Sequence, residues 1–173
     1  MSGHAQGWLL RLGGGLHAAI GARELLYVLP DEPQLHAIPL VPPHVPGVLV
    51  WENFIVPTLD CQLLLQVGDA AAAGTSTGLR SLRSIAAIVA MGNTTGAQAS
   101  TGIGALLLVH VPEQIEVRDE QECELPPALH AHRRFFSACF EHAEMGPVPI
   151  LDLPRLFTAP SARSGQGRAI LNH

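Results

Sequence analysis

One short phrase occurs twice in this chain. Val56-Pro57-Thr58-Leu59-Asp60 followed by Leu64 matches Val148-Pro149-Ile150-Leu151-Asp152 followed by Leu156, 92 positions further on. Two copies of V-P-x-L-D-x-x-x-L in a chain of 173 residues predict two similar lobes, whereas a solenoid needs a longer series of repeats. The physical content of the phrase is local. Proline has no N–H to give to a ladder, so it marks a strand edge or a strand end. An aspartate just after it can accept from the free N–H groups of a helical turn. Each copy therefore predicts a strand that hands over to a short capped helix, with Asp60 and Asp152 as structural caps.

Before the first copy, Pro46-Gly47-Val48-Leu49-Val50-Trp51-Glu52-Asn53-Phe54-Ile55-Val56-Pro57 places two apolar runs around the single polar pair Glu52-Asn53. A two-residue polar break between β-rich runs predicts a hairpin, and Asn53 suits its turn because Asn tolerates positive φ better than any residue except Gly. The second copy closes a matching hairpin, Phe135–Phe140 and Pro147–Leu151, around Ala143–Gly146.

The remaining segments read as strands and connections. Trp8–Leu12 and Leu16–Ile20 flank Gly13-Gly14-Gly15 as an opening hairpin, and Arg23–Leu29 is a third strand ended by Pro30-Asp31-Glu32-Pro33. Four prolines between Pro39 and Pro46 exclude helix and central strand there and predict extended chain. Gly68–Gly78 is a small-residue crossing between lobes, and Ser84–Met91 pairs with Ile103–Val111 around a long loop. Gly96 and Gly102 bracket Ser100-Thr101 in that loop, but the spacing fits no phosphate-binding fingerprint. Pro112–Glu124 is acidic and reads as a solvated strand edge or loop, while Ser161–Arg168 reads as disordered.

Composition narrows the function. Hydrophobic residues make up 47% of the chain and charged residues 14%, against the roughly 25% charged usual in soluble domains. Extensive apolar surface must then be buried internally or against partners, which favours an interaction protein. The net charge is −5 and all ten basic residues are arginines without a basic run. Nucleic acid is therefore not expected as a partner, and the absence of Lys excludes the usual Walker A loop and a lysine Schiff base. Cys61, Cys123 and Cys139 show no C-x-x-C spacing and suit a reducing compartment. No apolar run reaches the ~18 residues of a spanning helix. No direct membrane insertion is expected, and the reading is cytoplasmic.

The cysteines and histidines invite catalytic and metal readings. His130, His132 and His142 with Cys139 offer zinc-type ligands in a spacing that matches no closed zinc site, so structural histidines are favoured and no metal is expected. Cys61 follows the Asp60 cap, where a helix dipole lowers a thiol pKa but the carboxylate opposes it, and core filling accounts for it better. No cofactor and no catalytic residue is assigned. The alternative reading is a small β-barrel enzyme or ligand binder that uses Cys139 and His142. Trp8 and Trp51 are needed for the core, with Trp51 beside the turn as the better interface candidate.

The order of these motifs resembles a known family. Arg23-Glu24-Leu25, then Gly47-Val48 through Val56-Pro57 to Asp60, then Pro149-Ile150-Leu151-Asp152-Leu153, is similar to the CheW-like coupling domain of bacterial chemosensory systems, over residues 8–157. The resemblance implies an all-β fold of two five-stranded SH3-like β-barrel lobes with short helical turns. The first lobe is expected mainly from residues 8–66 with a C-terminal return, the second mainly from 80–157, with 158–173 as a flexible tail. It also implies a non-catalytic adaptor joining a chemoreceptor-like protein to a CheA-type histidine kinase, with Glu24, Gly47, Val48, Trp51, Glu52 and Asn53 at or near partner-binding surfaces. The family turn usually reads N-L-R-G where this chain has Val50-Trp51-Glu52-Asn53. Asn for Gly keeps the turn, while Glu for Arg reverses a charge at a recognition position, which points to a divergent array such as one governing pilus motility.

Overall fold

The computed structural model describes residues 3–65, 85–92 and 102–158. Their strands are β1 (His4–Gly13), β2 (Leu16–Gly21), β3 (Leu25–Leu29), β4 (Val48–Trp51), β5 (Phe54–Leu59), β6 (Ile85–Met91), β7 (Gly102–Leu108), β8 (Glu113–Arg118), β9 (Phe136–His142) and β10 (Gly146–Leu151). Two one-turn helices, α1 (Cys61–Leu65) and α2 (Leu153–Phe157), follow β5 and β10. The expected crossing at Gly68–Gly78, the Ser100-Thr101 loop and the tail from residue 159 lie outside the described residues.

The strands form two five-stranded sheets in the orders β8-β1-β2-β10-β9 and β3-β6-β7-β5-β4. The two orders are the same arrangement used twice. In each, a strand carrying the repeated phrase runs parallel to the second strand of a hairpin: Thr58 faces Ala105 where β5 meets β7, and Ile150 faces Ala19 where β10 meets β2. The all-β fold of two five-stranded curled sheets agrees with the sequence reading.

The division of the chain between the sheets differs from that reading. One sheet is continuous, from β3 to β7, so the expected boundary between 66 and 80 falls inside it. The other is assembled from both ends, with β1 and β2 inserted between β8 and β10. The reason is pairing. Each capped helix must be followed by a hairpin to complete its sheet. After α1 that hairpin is β6–β7, whereas in the other sheet its place is taken by β1–β2 from the chain's start.

Four of the six inner strands, β1, β2, β6 and β7, are covered on both faces. In β6, Ile85, Ala87 and Val89 enter a central core shared by the sheets, while Ala86 and Ile88 enter a second core with Leu49, Val56, Ala105 and Leu107. In β1 and β2, Leu10, Ala18 and Ile20 face the central core, and Leu9 and Ala19 face a third core with Phe140 and Val148. Successive strand residues point to opposite faces, so double coverage requires apolar residues at every position. That is why I-A-A-I-V-A-M and A-L-L-L show no alternation.

Both caps form. The Asp60 carboxylate accepts from the Leu63 N–H at 3.1 Å, and that of Asp152 accepts from the Arg155 N–H at 3.1 Å. Their backbones match as well: the Asp60 N–H donates to the His44 carbonyl, and the Asp152 N–H donates to the Phe135 carbonyl. The proline-rich 39–46 segment is neither helix nor strand and contains two turns, one of which holds Leu40 at φ 62°. A nine-residue 3-10 run, Pro127–Phe135, was not foreseen; it inserts Leu129 and Phe135 into the central core.

Asp60→Ala and Asp152→Ala should each lower unfolding free energy by about 1 kcal/mol in urea titrations. Asp60→Ala should cost the more of the two, because Asp60 is buried whereas Asp152 is partly solvated and has Arg155 beside it at 3.4 Å. Equal, negligible effects would remove the capping role.

Candidate functional site

The β4–β5 hairpin turns at Glu52 (φ 47°) and Asn53 (φ 65°). Positive φ at both central residues is the type I′ geometry that matches the right-handed twist of paired strands. Asn53 takes this conformation as expected. Glu52 takes it too, at a cost of about 1 kcal/mol for a residue with a long side chain.

Register then sorts the hairpin into two faces. Val48 pairs with Pro57 and Val50 with Ile55 on one side; Leu49 pairs with Val56 and Trp51 with Phe54 on the other. Leu49 and Val56 are buried, and Trp51 packs against that core with its ring 6.1 Å from that of Tyr27 on β3. This contact joins the first and last strands of the sheet order. The opposite face is apolar yet open to solvent, Val50 being 61% and Ile55 75% exposed. Phe54 at 57% and Tyr27 at 51% extend the apolar surface past the hairpin's edge. Glu52 and Asn53 are both exposed at the tip. Contiguous exposed apolar surface beside polar residues is the kind of chemistry that protein-docking surfaces present.

The residues expected at the partner surface divide between three places. Val48, Trp51, Glu52 and Asn53 are on or beside this hairpin, with Trp51 half-buried. Gly47 is buried, and a Cβ on it would lie 2.4 Å from the His36 carbonyl oxygen. It permits the close approach through which His36 and Val48 exchange backbone hydrogen bonds at 2.7 and 3.0 Å. Glu24 is half-buried in the β2–β3 turn, where its carboxylate accepts from the Gly21 N–H. Burial raises the Glu24 pKa, the Gly21 hydrogen bond opposes this, and the carboxylate of Asp152 adds to the rise. Sequence reasoning did not single out Val50, Phe54, Ile55 and Tyr27. The available signal was that V-L-V-W and F-I-V-P are apolar at every position although β4 is a terminal strand.

Cys139 and His142, the pair of the alternative reading, do not share a site. Cys139 and His142 are three residues apart on β9, which places them on opposite faces of the strand. Cys139 lies against Cys123, while the His142 Nδ1 accepts from the Glu144 N–H at 3.3 Å. His130 is hydrogen-bonded to the Leu125 carbonyl at 2.7 Å, and His132 stacks on Phe135. Cys61 is fully buried, which pushes its thiol up to about 12. The Trp8 indole donates to the Ala22 carbonyl at 3.2 Å. Among the described residues no three His, Cys, Asp or Glu side chains are grouped to hold a metal ion, and no helix is long and apolar enough to cross a membrane.

Fold and surface together describe a small two-lobed β protein with an exposed apolar hairpin face. The CheW-like domain family matches residues 6–161, and the chain belongs to that family. Its members are non-catalytic scaffolds of chemotaxis signalling. The crystal structure of the scaffolding protein TtCheW from Thermoanaerobacter tengcongensis is similar, with a TM-score of 0.63 and 16% identity over 89% of this chain and 92% of that one. No curated protein sequence matches the chain.

Ionised Glu24 is disfavoured by burial, so its folded pKa lies above the ordinary 4.5. Its contribution is present below that value and is lost as pH rises through the folded pKa. Glu24→Gln keeps an acceptor for Gly21 without the charge. The stability of the variant relative to the parent should therefore increase as the pH rises from below the ordinary 4.5 through the raised folded pKa, read from denaturant midpoints at each pH. A pH-independent difference would show that Glu24 carries no burial cost.

Proposed function

We propose that this protein is a cytoplasmic adaptor that couples a chemoreceptor-like protein to a CheA-type histidine kinase. The outer face of the β4–β5 hairpin would be its principal docking surface. The observation that carries this is the apolar, solvent-facing set Val48, Val50, Ile55 and Pro57 on a hairpin locked from behind by Trp51, Leu49 and Val56. A rigid apolar platform needs little ordering on association, which is what a docking surface requires. Family membership supplies the class of partner, and Glu52 supplies the distinguishing feature. Where the family turn carries Arg, this chain presents a carboxylate, so the partner facing it should offer a cation. The charge reversal supports service in a divergent array, such as a bacterial pilus-motility system, with its own receptor and kinase.

Binding of the regulatory domain of a chemosensory kinase and of a receptor signalling tip from the same genome, measured separately by calorimetry, tests the assignment. Val50→Glu and Ile55→Glu should each weaken at least one partner about tenfold or more, as expected for residues at the centre of an interface. Binding of both partners at parental affinity by both variants would exclude the hairpin face. Glu52→Arg should leave stability within about 0.5 kcal/mol while weakening the native partner in a salt-dependent way. Unchanged affinity at low and moderate salt would remove Glu52 from the contact.

A further inference from the structure

The two barrels close at equivalent seams that differ in the residues beside them. Each sheet order has two terminal strands, and the chain just beyond one of them must meet the other to complete the barrel. In the β3–β7 lobe this seam is the His36–Val48 bridge, and in the other lobe it is the equivalent Glu122–Phe140 bridge. Continuing each register by one residue places Ala37 opposite Gly47 in the first and Cys123 opposite Cys139 in the second. The Cys123 N–H donates to the Cys139 carbonyl at 3.0 Å, and Gln121 Nε2 donates to the Glu141 carbonyl at 3.0 Å. The two sulfurs are 3.5 Å apart.

We propose that Cys123 and Cys139 are an oxidative modification site, at which a peroxide converts the pair to an intramolecular disulfide that staples this seam. Antiparallel neighbours have Cα atoms roughly 4.5–5.5 Å apart, which lies within the span a disulfide accepts. Closing the remaining gap between the sulfurs needs only side-chain adjustment. Access is also asymmetric in a useful way. Both cysteines line an open cavity of about 600 Å³ with His130 and Arg133, yet Cys139 is only 5% exposed while Cys123 is half-buried. Burial, reinforced by Cys123, pushes the Cys139 thiol up to about 12, so Cys123 is the sulfur that meets the oxidant.

In the first step the Cys123 sulfur attacks one peroxide oxygen and the O–O bond breaks. The departing hydroxide takes up the thiol proton as water, leaving a sulfenic acid. The Cys139 sulfur then displaces hydroxide from Cys123 Sγ, forming the S–S bond, and its proton leaves with that hydroxide as a second water. Two thiols lose two electrons in total and one peroxide becomes two waters. The third thiol, Cys61, is fully buried in the central core and takes no part. This inference does not depend on the partner assignment.

The test treats the intact protein with equimolar hydrogen peroxide, then unfolds it and alkylates the remaining thiols before intact-mass and peptide analysis. The expected product is a monomer that has lost two hydrogen atoms, carries one alkyl group on Cys61, and contains a peptide linked between Cys123 and Cys139. Reduction should restore three alkylatable thiols, and the oxidised form should melt at a higher temperature than the reduced one. Cys123→Ser should abolish the loss of two hydrogens while Cys61→Ser leaves it intact, and the parent protein's own crosslink map decides the matter if a variant fails to fold. Retention of three thiols, a crosslink that includes Cys61, or an exclusively intermolecular disulfide would overturn the proposal.

Discussion

The structure depends on a core shared between two sheets. Leu10, Leu12 and Ile20 from one sheet meet Ala87, Val89, Leu106 and Leu108 from the other, and Leu153 and Leu156 of α2 and Leu65 of α1 join the same cluster. Each sheet also curls around a smaller core of its own. The central strands therefore separate two apolar compartments and cannot carry polar residues on either face without leaving them unsatisfied. This accounts for a composition poor in charge. It also accounts for the capped helices, because Asp60 and Asp152 turn the chain at the end of β5 and β10 so that the following leucines point back into the shared core.

Barrel closure links that core to the exposed surface. The β4–β5 hairpin is held on its inner face by Leu49, Val56 and Trp51, and along its edge by the His36–Val48 bridge that buried Gly47 permits. With the inner face occupied, the outer Val50 and Ile55 remain uncovered among the described residues. A structural requirement on one face of the hairpin thus leaves an exposed apolar surface on the other, the face proposed for docking. The opposite lobe solves closure with Glu122–Phe140 and adjacent thiols. Its acidic strand β8 keeps Ile115 and Val117 inward while its glutamates face solvent, with Arg11 and Glu113 paired at 2.9 Å.

Membership of the CheW-like family and the shared fold with TtCheW at 16% identity show how few residues specify this architecture. Within this chain the two V-P-x-L-D phrases, the hairpin turn and the apolar central strands carry the local and packing requirements of the fold, and interior positions tolerate apolar exchange when volume and pattern persist.

Much of this was legible in the sequence, for local reasons. The tight turn at Glu52-Asn53, the strand-to-helix phrase with its aspartate caps, and the apolar strand runs follow from backbone sterics, hydrogen-bonding chemistry and side-chain period, all of which act over a few residues. What the sequence by itself determined is therefore most of the strands, the two capped helices and their resemblance to a two-lobed adaptor. Tertiary structure decided which elements share a sheet, because the repeat marks β5 and β10 but does not say that β1 and β2 travel from the chain's start to complete the second lobe. It also decided that Gly47 and Glu24 serve packing and a turn, that Val50 and Ile55 are the exposed apolar pair, and that two cysteines sixteen residues apart stand 3.5 Å from each other. Those outcomes depend on long-range pairing, in which a strand's partner sets what its outer face meets.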